Sequence, residues 1–224
     1  MSAGDPGSHA FTVDASRTAY EGAVLALRVD ELRMPGGGTG TREVVEHHGA
    51  VAVLAIDDDE QVVLIHQYRH PLGRRLWELP AGLLDVAEEE PLPAAQRELA
   101  EEVGLAAAQW SVLVDVAASP GFTDESVRVY LAQGLSEVDR AAGEHEEADL
   151  VIARVPWEQA VSRVLCGEIV NASTAAGLLA LAAVRAGVGQ LRPTTAPWQD
   201  RPSAFSARHS TAERITATDG PGCR

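Results

Sequence analysis

The sequence predicts an α/β fold, on three observations. Short apolar runs bounded by turn residues mark strands near Ala23–Leu32, Ala50–Ile56, Val62–Ile65, Ser111–Val116, Ser126–Leu131 and Leu150–Val155. Stretches of helical length with start and stop signals mark helices near Pro91–Val103, Trp157–Cys166 and Ser173–Arg185. Helices and strands share one chain with no internal repeat, as layered α/β folds do.

In chain order, residues 1–9 read as a loose leader, and Pro35–Gly40 as a flexible loop. That loop lacks the Lys-Ser/Thr of a P-loop and opens no helix. The runs Ala50–Ile56 and Val62–Ile65 flank Asp57-Asp58-Asp59-Glu60 and read as an antiparallel hairpin around a solvated turn. His47 and His48 point to opposite faces of a strand, so they read as surface or interface histidines and not as a chelating pair. Pro91 and Pro93 are tolerated in a first helical turn, whose N–H groups lack partners anyway, and Gly104 suits the C′ position. Ser126–Leu131 alternates, with Val127, Val129 and Leu131 on one face and Ser126, Arg128 and Tyr130 on the other. Gly167 ends the second helix, and Asn171 or Ser173 caps the third. Beyond Gly189 the low hydrophobicity predicts a mobile tail. The expected organisation is an N-terminal strand segment (1–45), a main domain (46–188) and that tail (189–224).

The 224 residues suffice for a sizeable core without disulfide or metal staples. A net charge of −15 disfavours a nucleic-acid partner, but not a small phosphate ligand held through a bound cation. All 18 basic residues are Arg, which excludes lysine chemistry. Cys166 and Cys223 do not form a framework, and reduced thiols in the cytoplasm are the expectation. No signal peptide is visible, and the longest apolar stretch, Ala175–Val184, is too short to span a bilayer.

The chemistry concentrates in Ala81–Leu105. On a helix Glu98, Glu101 and Glu102 share one face, while Leu92, Ala95, Leu99 and Val103 occupy the neighbouring one. Three crowded carboxylates repel each other, and Arg97 is the only nearby base. Mg²⁺ or Mn²⁺ would relieve the crowding, since both prefer oxygen ligands. A solvated acidic face is the alternative; Gly82 before the helix, the adjoining Arg97 and Gly104 at its end count against it.

These residues resemble the signature of the Nudix hydrolases. Arg97–Leu105 matches the distal Arg-Glu-apolar-x-Glu-Glu-x-Gly-apolar half at every fixed position. The proximal half departs, because six residues instead of five separate Gly82 from Glu89; Glu88 or Glu89 is the box glutamate, and Glu89 keeps the register into the helix. Pro120, sixteen residues beyond Gly104, together with Gln67-Tyr68-Arg69 and Trp77–Gly82, resembles the ADP-ribose pyrophosphatase branch of actinobacterial type over about Ala23–Arg185.

The resemblance implies a Nudix-type α/β/α sandwich with a mixed β-sheet and with N-terminal strands exchanged in a homodimer. It implies Mg²⁺-dependent hydrolysis (Mn²⁺ also suits) of the pyrophosphate bond of ADP-ribose to AMP and ribose 5-phosphate. Glu98, Glu101, Glu102 and the carbonyl of Ala81 are the implied metal ligands, and Arg97 orients the glutamates. Arg69, Glu78, Pro120, Gly121, Phe122 and Glu125 are the implied substrate contacts, with Phe11 or Tyr20 as aromatic surfaces for adenine. A general base is expected in Glu144–Asp149, at Glu146 or Glu147. The alternatives are another nucleotide sugar or dinucleotide as substrate, such as GDP-mannose or NADH, or a non-catalytic ADP-ribose sensor.

Overall fold

The computed structural model describes residues 11–35, 37–140 and 150–208. In chain order the elements are β1 (Thr12–Glu21), β2 (Leu25–Arg33), β3 (Thr39–His47), β4 (Ala50–Ala55), β5 (Gln61–Arg69), β6 (Arg74–Glu78), β7 (Ala81–Leu83), α1 (Pro91–Val103), β8 (Leu105–Ala117), β9 (Ser126–Glu137), β10 (Val151–Pro156), α2 (Trp157–Leu165) and α3 (Ala172–Arg185). The described residues divide into two compact units, one of 49–118, 126–140 and 150–201, the other of 11–35, 37–48, 119–125 and 202–208.

The larger unit holds a four-stranded sheet in the order β7-β4-β9-β8, in which β4 and β9 run parallel and the other pairs antiparallel. The sheet is mixed, as the resemblance implies. Successive residues of β4 enter opposite cores: Val51, Val53 and Ala55 join one, Ala52 and Leu54 the other. β9 divides likewise, with Tyr130 and Ala132 in the first core and Val127, Val129 and Leu131 in the second. α1 fills the first core with Ala94, Ala95, Leu99 and Val103; α2 and α3 fill the second with Ala160, Leu178 and Leu181. The result is an α/β/α sandwich. The alternation in Ser126–Leu131 therefore separates two cores, not core from solvent, because both faces of a central strand are covered.

The antiparallel hairpin expected from Ala50–Ile56 and Val62–Ile65 is corrected by the structure. β5 lies in a second, antiparallel sheet, β10-β5-β6, and the β-pairing between the two runs is limited to the bridge between Ile56 and Val62. Each strand is the inner member of its own sheet, so both of its edges are already paired with other strands. The acidic run between them is a tight turn, as expected. The Asp57 carboxylate accepts from the N–H groups of Asp59 and Gln61, and Glu60 takes a φ of 59°.

The helix signals hold. α1 starts with Pro91 and ends at Gly104, whose φ of 67° is left-handed. Asn171 caps α3, its side chain accepting from the Thr174 N–H at 3.0 Å. Thr174 in turn accepts the Leu79 N–H at 2.9 Å, which ties α3 to the chain entering β7.

The mobile-tail expectation is corrected for residues 190–208. Arg192 forms an antiparallel bridge with Val112, and Trp198 packs on the core beside α1. In the smaller unit Phe205 is fully buried and meets His48 edge to face. His48 is thus buried, not a surface histidine. Low average hydrophobicity misled because this stretch is held by a few large anchors and by arginine contacts to its backbone, not by an apolar run. Residues 209–224 lie outside the described residues.

The smaller unit is a three-stranded antiparallel sheet, β1-β2-β3, in which β1 pairs with β2 of its own chain and is exposed along its length. Arg28 bridges Asp30 and Glu46 across it. Among the described residues no helix is long and apolar enough to cross a membrane.

Candidate active site

The acidic face of α1 is positioned by its apolar one. Leu99 is fully buried in the core, and this fixes the roll of the helix so that Glu98 and Glu102 turn toward β7. β7 is held by its pairing with β4, with Ala52 opposite Ala81 and Val51 opposite Gly82. The Ala81 N–H donates to Glu102 Oε2 at 2.8 Å, which seats a nearly buried carboxylate. Glu98 lies directly against Gly82: a Cβ there would stand 1.9 Å from Glu98 Oε1. The missing Cβ at this position leaves the room that the Glu98 side chain occupies, and no left-handed φ is involved. Burial pushes the Glu98 carboxyl above its ordinary value, against the opposing pull of Arg97.

Arg97 organises the remaining carboxylates. Its Nε and Nη2 donate to the two oxygens of Glu89 at 3.1 and 2.9 Å. Its Nη1 donates to Glu98 at 2.7 Å and to Glu101 at 2.9 Å. Bonding to Glu89 raises the guanidinium pKa further, overcoming the opposing effect of burial. The extra residue in the box finds its place here. Glu88 takes a left-handed φ of 62° in the loop, and Glu89 is the glutamate that grips Arg97.

The donor set suits a hard divalent cation. Carboxylate oxygens and a backbone carbonyl are the ligands that Mg²⁺ and Mn²⁺ take, and Glu98 and Glu102 bring two such carboxylates against β7. Among the described residues no three acidic, histidine or cysteine side chains already enclose a cation position; Arg97 supplies the counter-charge among Glu89, Glu98 and Glu101.

Arg69 and Glu78 form a second group, on β5 and β6. Arg69 makes a two-point ion pair with Glu78, Nε to Oε1 at 2.9 Å and Nη2 to Oε2 at 2.6 Å, and Gln67 adds a bond at 3.3 Å. Glu78 is buried while Arg69 keeps 42% of its side chain exposed, so the guanidinium is anchored by a buried carboxylate. Pro120, Gly121, Phe122 and Glu125 belong to the smaller unit. There the Phe122 carbonyl accepts the Val45 N–H at 2.7 Å while its ring is exposed. Phe11 and Tyr20, of the same unit, are exposed as well. Glu146 and Glu147 lie outside the described residues.

Residues 46–172 match the family model described as the NUDIX domain. The ADP-ribose pyrophosphatase of Mycobacterium tuberculosis is 57% identical over 202 residues, which cover 90% of this chain and 98% of that protein. The methanol dehydrogenase activator of Bacillus methanolicus is 39% identical over 155 residues, 69% of this chain and 83% of that one. The crystal structure of an ADP compounds hydrolase superposes with a TM-score of 0.67 at 21% identity, covering 80% of this chain and 96% of that chain, a likeness of fold. With the family model matching more than half of the sequence and the box glutamates gathered around Arg97, the chain belongs to the Nudix family.

Proposed function

We propose that this Nudix protein hydrolyses the pyrophosphate bond of ADP-ribose to AMP and ribose 5-phosphate, with Mg²⁺ as the bound metal and Mn²⁺ as a substitute. The observation that carries the reading is the match, along nearly the whole length of both chains, to the M. tuberculosis protein of that name. The chemistry of the α1 face supports it. A bound divalent ion supplies charge neutralisation on the diphosphate and a more acidic water. Glu98, Glu101, Glu102 and the Ala81 carbonyl would hold it. Arg97 keeps Glu98 and Glu101 oriented through its fork, and Glu89 keeps Arg97 in place. Arg69 draws a phosphate oxygen while buried Glu78 fixes its direction. Glu146 or Glu147 takes the proton of the attacking water. The oxygen of that water bonds to one phosphorus, the bridging P–O bond breaks, and the bridging oxygen leaves with the other phosphate. Pro120, Gly121, Phe122 and Glu125 contact the substrate, and a homodimer covers the exposed β1 sheet, where Phe11 and Tyr20 lie open.

The test is a substrate panel with Mg²⁺ and with Mn²⁺, covering ADP-ribose, NADH, GDP-mannose, Ap4A and nucleoside triphosphates. ADP-ribose is expected to give the highest kcat/KM with AMP as product. A higher value for GDP-mannose or NADH would reassign the substrate, and binding of ADP-ribose without turnover would make the protein a sensor. Glu146→Gln and Glu147→Gln, measured side by side, identify the base: it is the one whose loss flattens the acid limb of the pH profile.

A further inference from the structure

Arg201 stands 104 residues beyond Arg97 in sequence, yet it touches the loop that holds the Arg97 fork. Its Nη1 donates to Glu90 Oε2 at 3.0 Å and its Nη2 reaches the Glu89 carbonyl at 3.4 Å. Glu90 is the N-cap of α1 and makes no side-chain cap bond to the helix. An arginine at a helix N-terminus opposes the helix dipole, so helix capping does not account for its position. What it holds is the backbone and side chain of the two residues that aim Glu89 at Arg97.

Arg201 is delivered there by an anchored strap. Buried Arg128 donates to the carbonyls of Ala196 and Pro197, both at 2.9 Å, and lies 4.9 Å from the centre of the Trp198 ring. Its other contacts go to Asp115 at 2.7 and 3.1 Å, and Asp115 also takes Arg192 at 2.8 Å. The Trp198 indole N–H donates to Ser126 Oγ at 3.0 Å. Residues 192–198 are therefore fixed to β8 and β9 at several points, and Arg201 lies three residues past the last of them.

We infer that Arg201 is a positioning residue: it fixes the Glu89–Glu90 entrance to α1 and, through Glu89, the direction of the Arg97 fork across Glu98 and Glu101. The inference rests on the proposed activity for its kinetic effect, but not for its structural one. The test compares Arg201→Ala, Arg201→Lys and Glu89→Gln with the parent, and the double variant Arg201→Ala/Glu89→Gln with both single changes. Arg201→Ala is expected to lower kcat on ADP-ribose about fivefold with KM nearly unchanged, and Arg201→Lys to recover part of the loss through Glu90. In the Glu89→Gln background, removal of Arg201 is expected to have no further effect, because the two act in series. Independently of activity, amide exchange at Glu89 and Ala94, whose N–H groups donate to the Val86 and Glu90 carbonyls, is expected to quicken severalfold in Arg201→Ala, with the rest of α1 unchanged. Unchanged exchange at those amides, or additive kinetic losses in the double variant, would overturn the inference. A parent without ADP-ribose turnover whose Arg201→Ala variant still shows quickened exchange would instead overturn the substrate assignment alone.

Discussion

Gly82→Ala separates the role of Glu98 from the stability of the fold. The new Cβ would stand 1.9 Å from Glu98 Oε1, 2.0 Å from Cδ and 2.5 Å from Cγ, all atoms of one flexible side chain. Ordinary contact begins at 3.4 Å, so the carboxylate must move by about 1.5 Å. The backbone at Gly82 is not left-handed, and alanine suits its place in β7. An alanine at an unstrained position changes stability by about 1 kcal/mol or less, so the melting temperature should stay within about 4 °C of the parent. Misplacing a reacting group by about 1 Å costs on the order of 10²-fold in rate. The expected outcome is a kcat/KM on ADP-ribose lowered by about that factor in a folded protein. AMP release under saturating Mg²⁺, followed by chromatography, measures the first quantity, and a near-UV thermal melt the second. A variant with the parent's melt and a kcat/KM within about threefold of the parent would refute the reasoning, because the position of Glu98 would then not matter.

Glu102→Gln keeps an acceptor for the Ala81 N–H while removing the charge, so turnover should fall at least about 10²-fold with the circular dichroism spectrum unchanged; comparable turnover would remove Glu102 from the site. Leu99→Ala empties a fully buried position between α1 and the sheet and should cost about 2–5 kcal/mol in urea denaturation; less than about 1 kcal/mol would mean that α1 is not seated by this residue. Burial pushes the Asp115 carboxyl up, but hydrogen bonds and attraction from Arg128 and Arg192 outweigh it and hold the group below its ordinary value of 3.8. Asp115 therefore stabilises the fold above that value and loses its contribution as pH falls through the lowered one. The stability gap between the parent and Asp115→Asn should be full at pH 7 and shrink below about pH 4; a gap independent of pH would contradict this.

The residues that were legible in the sequence are those whose signals are local. Pro91, Gly104 and the spacing of Leu99 and Val103 define α1, because capping and periodicity act within a few residues. The glutamate cluster follows from the same periodicity. β1 and β3 escaped notice because they are largely exposed and have no apolar alternation to mark them. The pairing of Ala50–Ile56 with Val62–Ile65 was misread because a turn shows only that two strands are consecutive; which edges they share depends on β6, β7, β9 and β10, distant in sequence. Counting prefers Glu89 through its register into the helix, and the structure adds what counting does not contain, a left-handed backbone at Glu88 that takes up the extra residue. Arg128, Trp198 and Arg201 gave no signal at all: a buried guanidinium bonded to carbonyls far along the chain has no local pattern.

The cations that order the α1 array and the strap are all guanidinium groups, and the sequence contains no lysine. These cations keep their charge through the whole alkaline range in which an ammonium would lose its proton. Amine-directed reagents consequently find no side chain to modify. A succinimidyl dye or cross-linker therefore leaves the guanidinium contacts of the α1 array and the strap chemically intact.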